Sequence, residues 1–283
     1  MIKEENYYQS ILQNSTLIIK VSGKICDDQK KVSNVVENIQ KLLSTITKLK
    51  VVLVFGFGRQ LDTYIKEVHN KESTKINGRR VTTPIEIEAA KKISGQILID
   101  IFSLCSKFNI RSFPIPIAKK DFIIAKKREI KEGVDFGLVG DVSMIDALEI
   151  QKLFKDHDLV VMPSLVLDKN NGDVLNVNAD TIAKELAVNL KASKLVFISD
   201  VPFVKDQHNA RISVINDQIA QDLVAKEIIK DGMIVKVENA LDAVNRGVDK
   251  VHIISGEIDD ALLTELETED GIGTVFQSKD LDY

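Results

Sequence analysis

The sequence predicts an α/β fold, namely a three-layer αβα sandwich around a mainly parallel sheet, with accessory β-hairpins. Short runs of Val, Ile and Leu alternate along the chain with amphipathic stretches, the order that builds parallel sheets. These apolar runs are continuous, as expected for strands that helices cover on both faces. A chain of 283 residues is long enough for one large domain of this kind.

The individual elements follow from the same pattern, taken in chain order. The apolar runs predict strands at Leu17–Val21, Val51–Phe55, Leu159–Met162, Lys194–Ser199 and Lys250–Ile254. The amphipathic stretches predict helices at Lys30–Leu49, Pro84–Phe108, Ala179–Ala192, Asp217–Lys230 and Val237–Arg246. A polar, helix-compatible segment also follows the glycine turn after the second strand.

Two regions depart from this alternation and predict hairpins. The turn KNNGD, Lys169–Asp173, separates the strand-like stretches SLVL and VLNV. The strand-like region Ile115–Val142 is rich in lysine, but acidic residues interrupt it, so we interpret it as a solvated hairpin outside the sheet. Because no linker rich in Pro, Gly or Ser is present, we expect a single domain over residues 1–283.

Composition limits the classes of function. The net charge is -4 and the pI is about 5.7, so we expect no nucleic-acid partner. The apolar runs are too short to cross a membrane, and the N-terminal residues lack a secretory apolar core. The cysteines Cys26 and Cys105 cannot form a disulfide framework. We therefore expect a cytoplasmic protein with free thiols and no membrane partner.

Several familiar motifs are absent from the sequence. It contains no G-x-x-x-x-G-K-[ST], no H-E-x-x-H and no C-x-x-C, so we expect neither a phosphate loop of that type nor a metal site built from protein ligands. The turn Gly56-Phe57-Gly58 has Leu61 where a dinucleotide fingerprint needs its third glycine. The string Asp135–Gly137 (DFG) lacks the companion motifs of a protein kinase, so we treat it as coincidence.

Four features together are typical of phosphoryl transfer. Lys20 lies near the end of the first predicted strand, before the small turn Ser22-Gly23. Lys236 lies beside a glycine turn and a helix. Lysines of this kind neutralise the moving group, backbone N–H groups bind its oxygens, and one carboxylate holds the lysines in place. Taken singly, each lysine is better explained as a surface residue.

The other two features concern the molecule that would accept the phosphoryl group. Arg80 leads into the start of a helix, where a guanidinium can bind a carboxylate with two hydrogen bonds. The stretch LNVNAD places Asn176, Asn178 and Asp180 at alternate positions, so they point the same way if the strand is regular. Asp180 also lies in the first turn of the next helix, near the positive end of its dipole.

These motifs resemble those of the amino-acid kinase family, and within it the acetylglutamate kinases, over almost the whole chain. IIKVSGK is similar to the family's K-x-G-G turn, VVLVFGFGRQLD to its H-G-G-G strand and turn, and INGRRVT to N-G-x-R-V-T. LNVNADTIAKELA and DGMIVKVENAL match more specific family strings. The middle region, with DFGLVGDV, is nearer to the kinase-type domain of fused acetylglutamate synthase/kinases.

The resemblance implies roles for particular residues. Lys20 and Lys236 would stabilise the transferring phosphoryl group, and Asp180 would orient both. The acyl-amino acid would be bound by Gly56, Phe57, Gly58, Arg80, Asn176 and Asn178. ATP would be bound by Ser22, Gly23, Ser199, Asp200, Val201, Pro202, Phe203, Val204, Ile228, Ile229 and Lys230. Magnesium would be carried on the ATP phosphates.

The resemblance also implies an organisation and an activity. An N-terminal lobe of about residues 1–178 would take the acyl-amino acid, a C-terminal lobe of about residues 179–283 would take ATP, and the chain would form a homodimer or a higher homo-oligomer. The implied reaction is ATP-dependent phosphorylation of the side-chain carboxylate of N-acetyl-L-glutamate, in arginine biosynthesis. Two alternatives remain open at this point. One is a kinase for N-succinylglutamate or a carrier-linked aminoadipate, and the other is a catalytically weak arginine-sensing domain.

Two positions differ from the family pattern and raise the question of activity. Ser22 and Phe57 stand where the family turns have glycine. We expect the Phe57 N–H to keep its role, since a change of side chain leaves the backbone donor in place. A negative φ at Phe57 would mean little strain, whereas a positive φ would be strained by about 1–3 kcal/mol.

Overall fold

The computed structural model describes residues 9–76, 79–117, 122–130, 133–229 and 232–278. Its centre is an eight-stranded sheet with the order β12-β14-β13-β11-β1-β2-β8-β5. The sheet strands are β1 (Thr16–Val21), β2 (Lys50–Phe55), β5 (Ser112–Pro114), β8 (Leu159–Pro163), β11 (Lys194–Ser199), β12 (Val214–Ile215), β13 (Lys250–Ser255) and β14 (Thr274–Phe276). All neighbouring strands run parallel except β13 and β14, which confirms a mainly parallel sheet.

Helices cover both faces of this sheet. They are α1 (Gly23–Cys26), α2 (Gln29–Thr45), α3 (Gly58–His69), α4 (Pro84–Lys107), α5 (Ala147–Leu153), α6 (Ala179–Asn189), α7 (Asp217–Ala225), α8 (Gly232–Asn245) and α9 (Ala261–Glu267). Successive residues of β1 enter different cores: Ile18 packs with the face covered by α6 and α8, and Ile19 with the face covered by α2 and α4. The three-layer sandwich is therefore confirmed.

Each predicted central strand is present to within one residue at either end, whereas helix ends differ more. The last predicted helix begins at Gly232 instead of Val237, so Lys236 lies inside α8 rather than before it. The helix predicted to reach Lys230 ends at Ala225, and Lys230 itself lies outside the described residues. Asp28 starts α2 by accepting hydrogen bonds from the Lys30 and Lys31 N–H groups.

Small hairpins lie beside the sheet. They are formed by β3 (Lys75–Ile76) with β4 (Arg79–Arg80), β6 (Ile123–Lys127) with β7 (Gly140–Ile145), and β9 (Leu165–Leu167) with β10 (Val174–Asn176). The last two are the predicted hairpins, and Gly172 takes a φ of +77° in the KNNGD turn. Within the region Ile115–Val142, residues 118–121 and 131–132 lie outside the described ranges.

The segment around Gly137 joins these hairpins. Thr82 donates its N–H to the Phe136 carbonyl and accepts at its own carbonyl from the Leu138 N–H. A Cβ added to Gly137, whose φ is +69°, would lie 2.4 Å from the Thr82 carbonyl oxygen. Only glycine allows this approach, which holds the chain after β4 against the edge of the cavity described below.

Across the described ranges, no helix is both apolar enough and long enough to span a bilayer.

Candidate active site

A cavity of about 460 Å³ opens where β1 and β2 end and α6 begins. The carboxyl ends of neighbouring parallel strands meet at one edge of a sheet, which is where open α/β sheets bind ligands. The cavity brings together a set of predicted residues that are far apart in sequence. They are Lys20, Ser22, Gly23, Gly56, Phe57, Gly58, Arg80, Asn176, Asn178, Asp180 and Asp200.

Lys20, Asp180 and Lys236 form a buried charged cluster, in which Lys20 and Asp180 border the cavity and Lys236 contacts Asp180 without being part of the lining. The Lys20 Nζ lies 2.7 Å from Asp180 Oδ1, and the Lys236 Nζ lies 3.0 Å from Asp180 Oδ2. One carboxylate thus holds two ammonium groups that come from a strand and from α8. Each of the three side chains is about nine-tenths buried. The cluster has a formal charge of +1, which a phosphoryl oxygen could neutralise.

Burial and neighbouring charges shift the pKa values of Asp180 and Lys236 in this cluster. Burial acts to raise the pKa of the Asp180 carboxyl, but the charges of Lys20 and Lys236 outweigh it and hold that pKa well below its usual range. Burial lowers the pKa of Lys236 to about 8, against the opposing effect of Asp180. Lys236 Nζ also lies 5.0 Å from the centre of the Phe197 ring, a favourable position for a cation.

Two glycine-containing turns form the wall next to Lys20. A Cβ added to Gly23 would lie 2.9 Å from Gln60 Oε1 and 3.1 Å from the Gly58 nitrogen, so the two turns are in direct contact. Gln60 Nε2 donates to the Gly23 carbonyl at 2.7 Å and joins them. Because Phe57, the residue before α3, has an apolar side chain that cannot cap the helix, the first N–H groups of α3 stay available for an anion.

The conformation of Phe57 answers the question raised by its sequence position. Its φ is −139° and its ψ is 16°, so the backbone is not in the left-handed region and the bulky residue causes no strain there. The side chain is 2% exposed and packs in the core under α2 and α4. The ring of Phe57 therefore packs in the core, while its backbone borders the cavity.

Arg80 lies against the Gly56–Gly58 turn, with most of its side chain buried. Its Nη2 donates to the Gly58 carbonyl at 2.7 Å and lies 2.6 Å from Asp62 Oδ1. Its Nη1 lies 3.5 Å from Glu86 Oε1. Arg80 belongs to β4 and precedes α4 by several residues, instead of leading directly into the helix.

Asn176, Asn178 and Asp180 all border the cavity, but not through the alternation of a strand. The strand β10 ends at Asn176, whose Nδ2 donates to Thr82 Oγ1 at 3.1 Å. Asn178 caps α6, with its Oδ1 accepting from the Thr181 N–H at 2.9 Å. The helix cap, and not a regular strand, therefore points Asp180 at the two lysines. The condition of a regular strand is therefore not met, and the alternate spacing does not explain why the three residues share the cavity.

The residues assigned to ATP are divided between two places. Ser22, Gly23 and Asp200 border the cavity, and Ser199 is buried at the end of β11 with its Oγ 3.3 Å from Asp200 Oδ1. The remaining described ones lie outside the cavity lining, either in the apolar core or partly buried beside it: Val201, Pro202, Phe203, Val204, Ile228 and Ile229. Lys230 lies outside the described residues.

The cavity lining is strongly basic in a protein that is acidic overall. Seven basic and three acidic side chains border it, a difference of four charges: Lys20, Lys24, Arg59, Lys75, Arg79, Arg80 and Arg128, against Asp62, Asp180 and Asp200. This excess fits an anionic ligand. Several of these residues were not selected from the sequence, because an isolated surface lysine or arginine carries no signal of where the fold will place it.

Comparison with known proteins places the chain in a family. Residues 15–255 match the Amino acid kinase family. An acetylglutamate kinase from Brachyspira hyodysenteriae is 33% identical over 92% of this chain and 90% of the relative. An acetylglutamate kinase from Methanothrix thermoacetophila is 34% identical over 94% of this chain and 93% of the relative.

Among solved structures, an N-acetylglutamate synthase from Neisseria gonorrhoeae, in a complex with coenzyme A and N-acetyl-glutamate, superposes with a TM-score of 0.89 at 22% identity. The alignment covers 99% of this chain and 63% of the synthase chain, so the likeness shows the fold of a part of that protein. The family match over most of the chain and the identities above 30% agree with the arrangement of the cavity. The chain is a member of the amino acid kinase family.

Proposed function

We propose that this protein transfers the γ-phosphoryl group of ATP to the side-chain carboxylate of N-acetyl-L-glutamate. The observation that carries the proposal is the buried cluster in which Asp180 holds Lys20 and Lys236 beside two glycine turns. The relatives named acetylglutamate kinase, which align over more than nine-tenths of this chain, support this acceptor.

The reaction needs positioning and charge more than proton transfer. A carboxylate oxygen of the acceptor forms a bond to the γ-phosphorus while the bond to the β,γ-bridging oxygen breaks, which yields an acyl phosphate and ADP. No general base is needed because a side-chain carboxylate is already ionised at neutral pH. The protein must hold the two anions in line and reduce their repulsion.

Lys20 and Lys236 supply that charge in our proposal. Their ammonium groups approach from opposite sides of Asp180 and are fixed before the substrates arrive, so the site needs little reorganisation during the reaction. Asp180 is a positioning residue, since its oxygens are occupied by the two lysines. The N–H groups at the start of α1 and α3 lie at the same edge and can bind phosphoryl oxygens.

The amino-acid substrate would bind beside the Gly56–Gly58 turn, where Arg80 and Asn176 also border the cavity. Arg80 would donate to the α-carboxylate, and the amide of Asn176 is within the same lining. We propose that about residues 1–178 bind this substrate and about residues 179–283 bind ATP. Asp200, which follows β11 and borders the cavity, supports the nucleotide side.

Magnesium would be bound by the ATP phosphates rather than by a protein cage. Within the described residues, no group of three His, Cys, Asp or Glu side chains is placed to hold a metal ion. The ion would neutralise charge on the nucleotide.

Product trapping tests the proposed function. Hydroxylamine converts an acyl phosphate to a hydroxamate, so the protein should give ATP-dependent hydroxamate with N-acetyl-L-glutamate. The same assay with N-succinyl-L-glutamate and with no acceptor distinguishes the acyl group and background ATP hydrolysis. A protein that forms no hydroxamate from acetylglutamate, or more from succinylglutamate at equal concentration, would contradict the proposed acceptor.

A further inference from the structure

We propose that Arg79 forms a second anion-binding position in the cavity and supplies the uncompensated charge that attracts the α-carboxylate of the amino-acid substrate. The inference rests on the proposed function and extends it to a residue that the sequence analysis did not select. Arg79 precedes Arg80 in β4 and borders the same cavity.

The charge around Arg80 is the reason a second cation is needed. Arg80 already has Asp62 at 2.6 Å and Glu86 at 3.5 Å, and Lys75 lies 2.7 Å from the other Asp62 oxygen. Two cations and two carboxylates therefore cancel. Arg80 can still offer N–H groups with good geometry, but an incoming carboxylate meets no net positive charge there.

Arg79 is in the opposite situation. Over the described ranges, its guanidinium has no hydrogen-bond or ion-pair partner, although it is partly buried. Burial lowers the pKa of Arg79 from its usual value and the charge of Arg128 lowers it further, with Asp141 and Glu238 acting in the other direction. An anion bound to Arg79 would offset both the burial of its charge and the repulsion from Arg128.

Arg128, which borders the cavity as Arg79 does, is held in place by its neighbours. It lies 5.3 Å from the centre of the Phe136 ring and pairs with Asp141, which holds it against β7. Arg79 and Arg128 border both the main cavity and a neighbouring basic pocket beside β6. The two residues shared by both linings are therefore arginines, and Asp141, the partner of Arg128, lines only the second pocket.

A cycle of enzyme and substrate changes tests this inference. The substrate pair is N-acetyl-L-glutamate and its α-carboxamide, which keeps the reacting side-chain carboxylate. The enzyme pair is wild type and Arg79→Gln. We expect Arg79→Gln to raise the KM for acetylglutamate about tenfold, the loss of one charge-assisted contact, and to leave the KM for ATP within about twofold.

The cycle should also show that the effect of Arg79→Gln depends on the α-carboxylate of the substrate. The amide should be a poorer substrate than the acid for wild type, and the ratio of their kcat/KM values should fall about tenfold in Arg79→Gln. Arg79→Lys keeps the charge and should give an intermediate KM. Arg111→Gln is the matched control, because Arg111 is largely exposed, pairs with Asp158 at 2.8 Å and is not among the residues that border the cavity.

The outcomes separate the two proposals. If wild type phosphorylates acetylglutamate and Arg79→Gln leaves the acid-to-amide ratio unchanged, the role of Arg79 is refuted and the proposed function stands. A rise in the KM for ATP instead of the KM for acetylglutamate would likewise refute it. If wild type neither phosphorylates acetylglutamate nor binds it by calorimetry, both proposals fall. Melting temperatures of all variants confirm that they fold.

Discussion

Charge and burial act against each other on Lys236. Its ammonium group is buried, yet it is held 3.0 Å from Asp180 and faces the aromatic ring of Phe197. Such a group costs stability in the free protein, which is expected where a protein prepares charge for a reaction.

We predict that Lys236→Met lowers kcat about a hundredfold or more, with a smaller change in the KM for ATP, because the contact strengthens in the transition state. Lys184→Met is the control, since Lys184 lies on α6 with Asp180 but pairs with Glu185 and Asp242. Steady-state kinetics of both variants measure this. Near-normal turnover in Lys236→Met would remove Lys236 from the mechanism.

The pKa of Lys236 predicts a basic limb in the pH profile. Lysine is charged below its pKa, and burial lowers this one to about 8, so the free enzyme loses the charge as the pH rises through about 8. We expect kcat/KM, which reports the free enzyme, to fall above that pH. In Lys236→Arg the limb should move above the pH range of lysine titration. A flat wild-type profile from about pH 7 to pH 10 would contradict the assignment.

Lys20, Asp180 and Lys236 could be selected from the sequence because their motifs occur together and in the order that resembles the amino acid kinase family, although each lysine alone is better explained as a surface residue. Arg79 could not, although it stands beside Arg80 in the same motif. Its importance depends on which neighbours neutralise Arg80, and those come from α3 and α4. Charge compensation is a property of the packed structure, so no local pattern reports it.

At the scale of single elements, the start of α6 shows how secondary structure places chemistry. Asn178 caps the helix through the Thr181 N–H, and the turn that follows aims Asp180 at both lysines. The sequence predicted this helix and its first-turn carboxylate. It did not predict the cap, because the alternation of Asn176, Asn178 and Asp180 is equally compatible with a continued strand.

Two helix-capping residues, Asn178 and Asn216, allow the effect of a cap on stability to be distinguished from its effect on activity. Asn216 caps α7 in the same way, through the Ile219 N–H at 3.1 Å, and is not in the cavity lining of the described residues. We predict that Asn178→Ala and Asn216→Ala each destabilise the protein by about 1 kcal/mol. Only Asn178→Ala should also lower kcat, since it loosens Asp180. Chemical denaturation and steady-state assays measure both effects, and equal activity in the two variants would refute the positioning role of this cap.

At the scale of the whole molecule, the net charge is -4 although the cavity lining is basic. The parallel pairing of the central strands and the helices on both faces follow from continuous apolar runs, so they could be predicted from the sequence. The order of the strands could not, because an apolar run does not show which strand is its neighbour. The short strands at or next to the edges, β5, β12 and β14, could not be predicted either, because two or three residues contain too little pattern.

Ile99 and Phe102 on α4 are 63% and 40% exposed, so they offer an apolar face for self-association. We propose that two chains pair there and predict that Phe102→Asp shifts the protein from dimer to monomer. Val68→Asp, at an exposed apolar residue of α3, is the matched control and should leave the mass unchanged. Light scattering after size-exclusion chromatography measures the masses. A wild-type monomer, or an unaffected Phe102→Asp dimer, would contradict this interface.

The central claim is that one buried carboxylate holds two lysines for phosphoryl transfer to acetylglutamate. Its most direct test is the rate of hydroxamate formation from ATP and acetylglutamate in Asp180→Asn, compared with wild type, in protein shown by circular dichroism to be folded. We predict a loss in kcat of about a hundredfold or more, because the amide no longer fixes both ammonium groups, while calorimetry still detects ATP binding. A folded Asp180→Asn protein with kcat close to that of wild type would contradict the account.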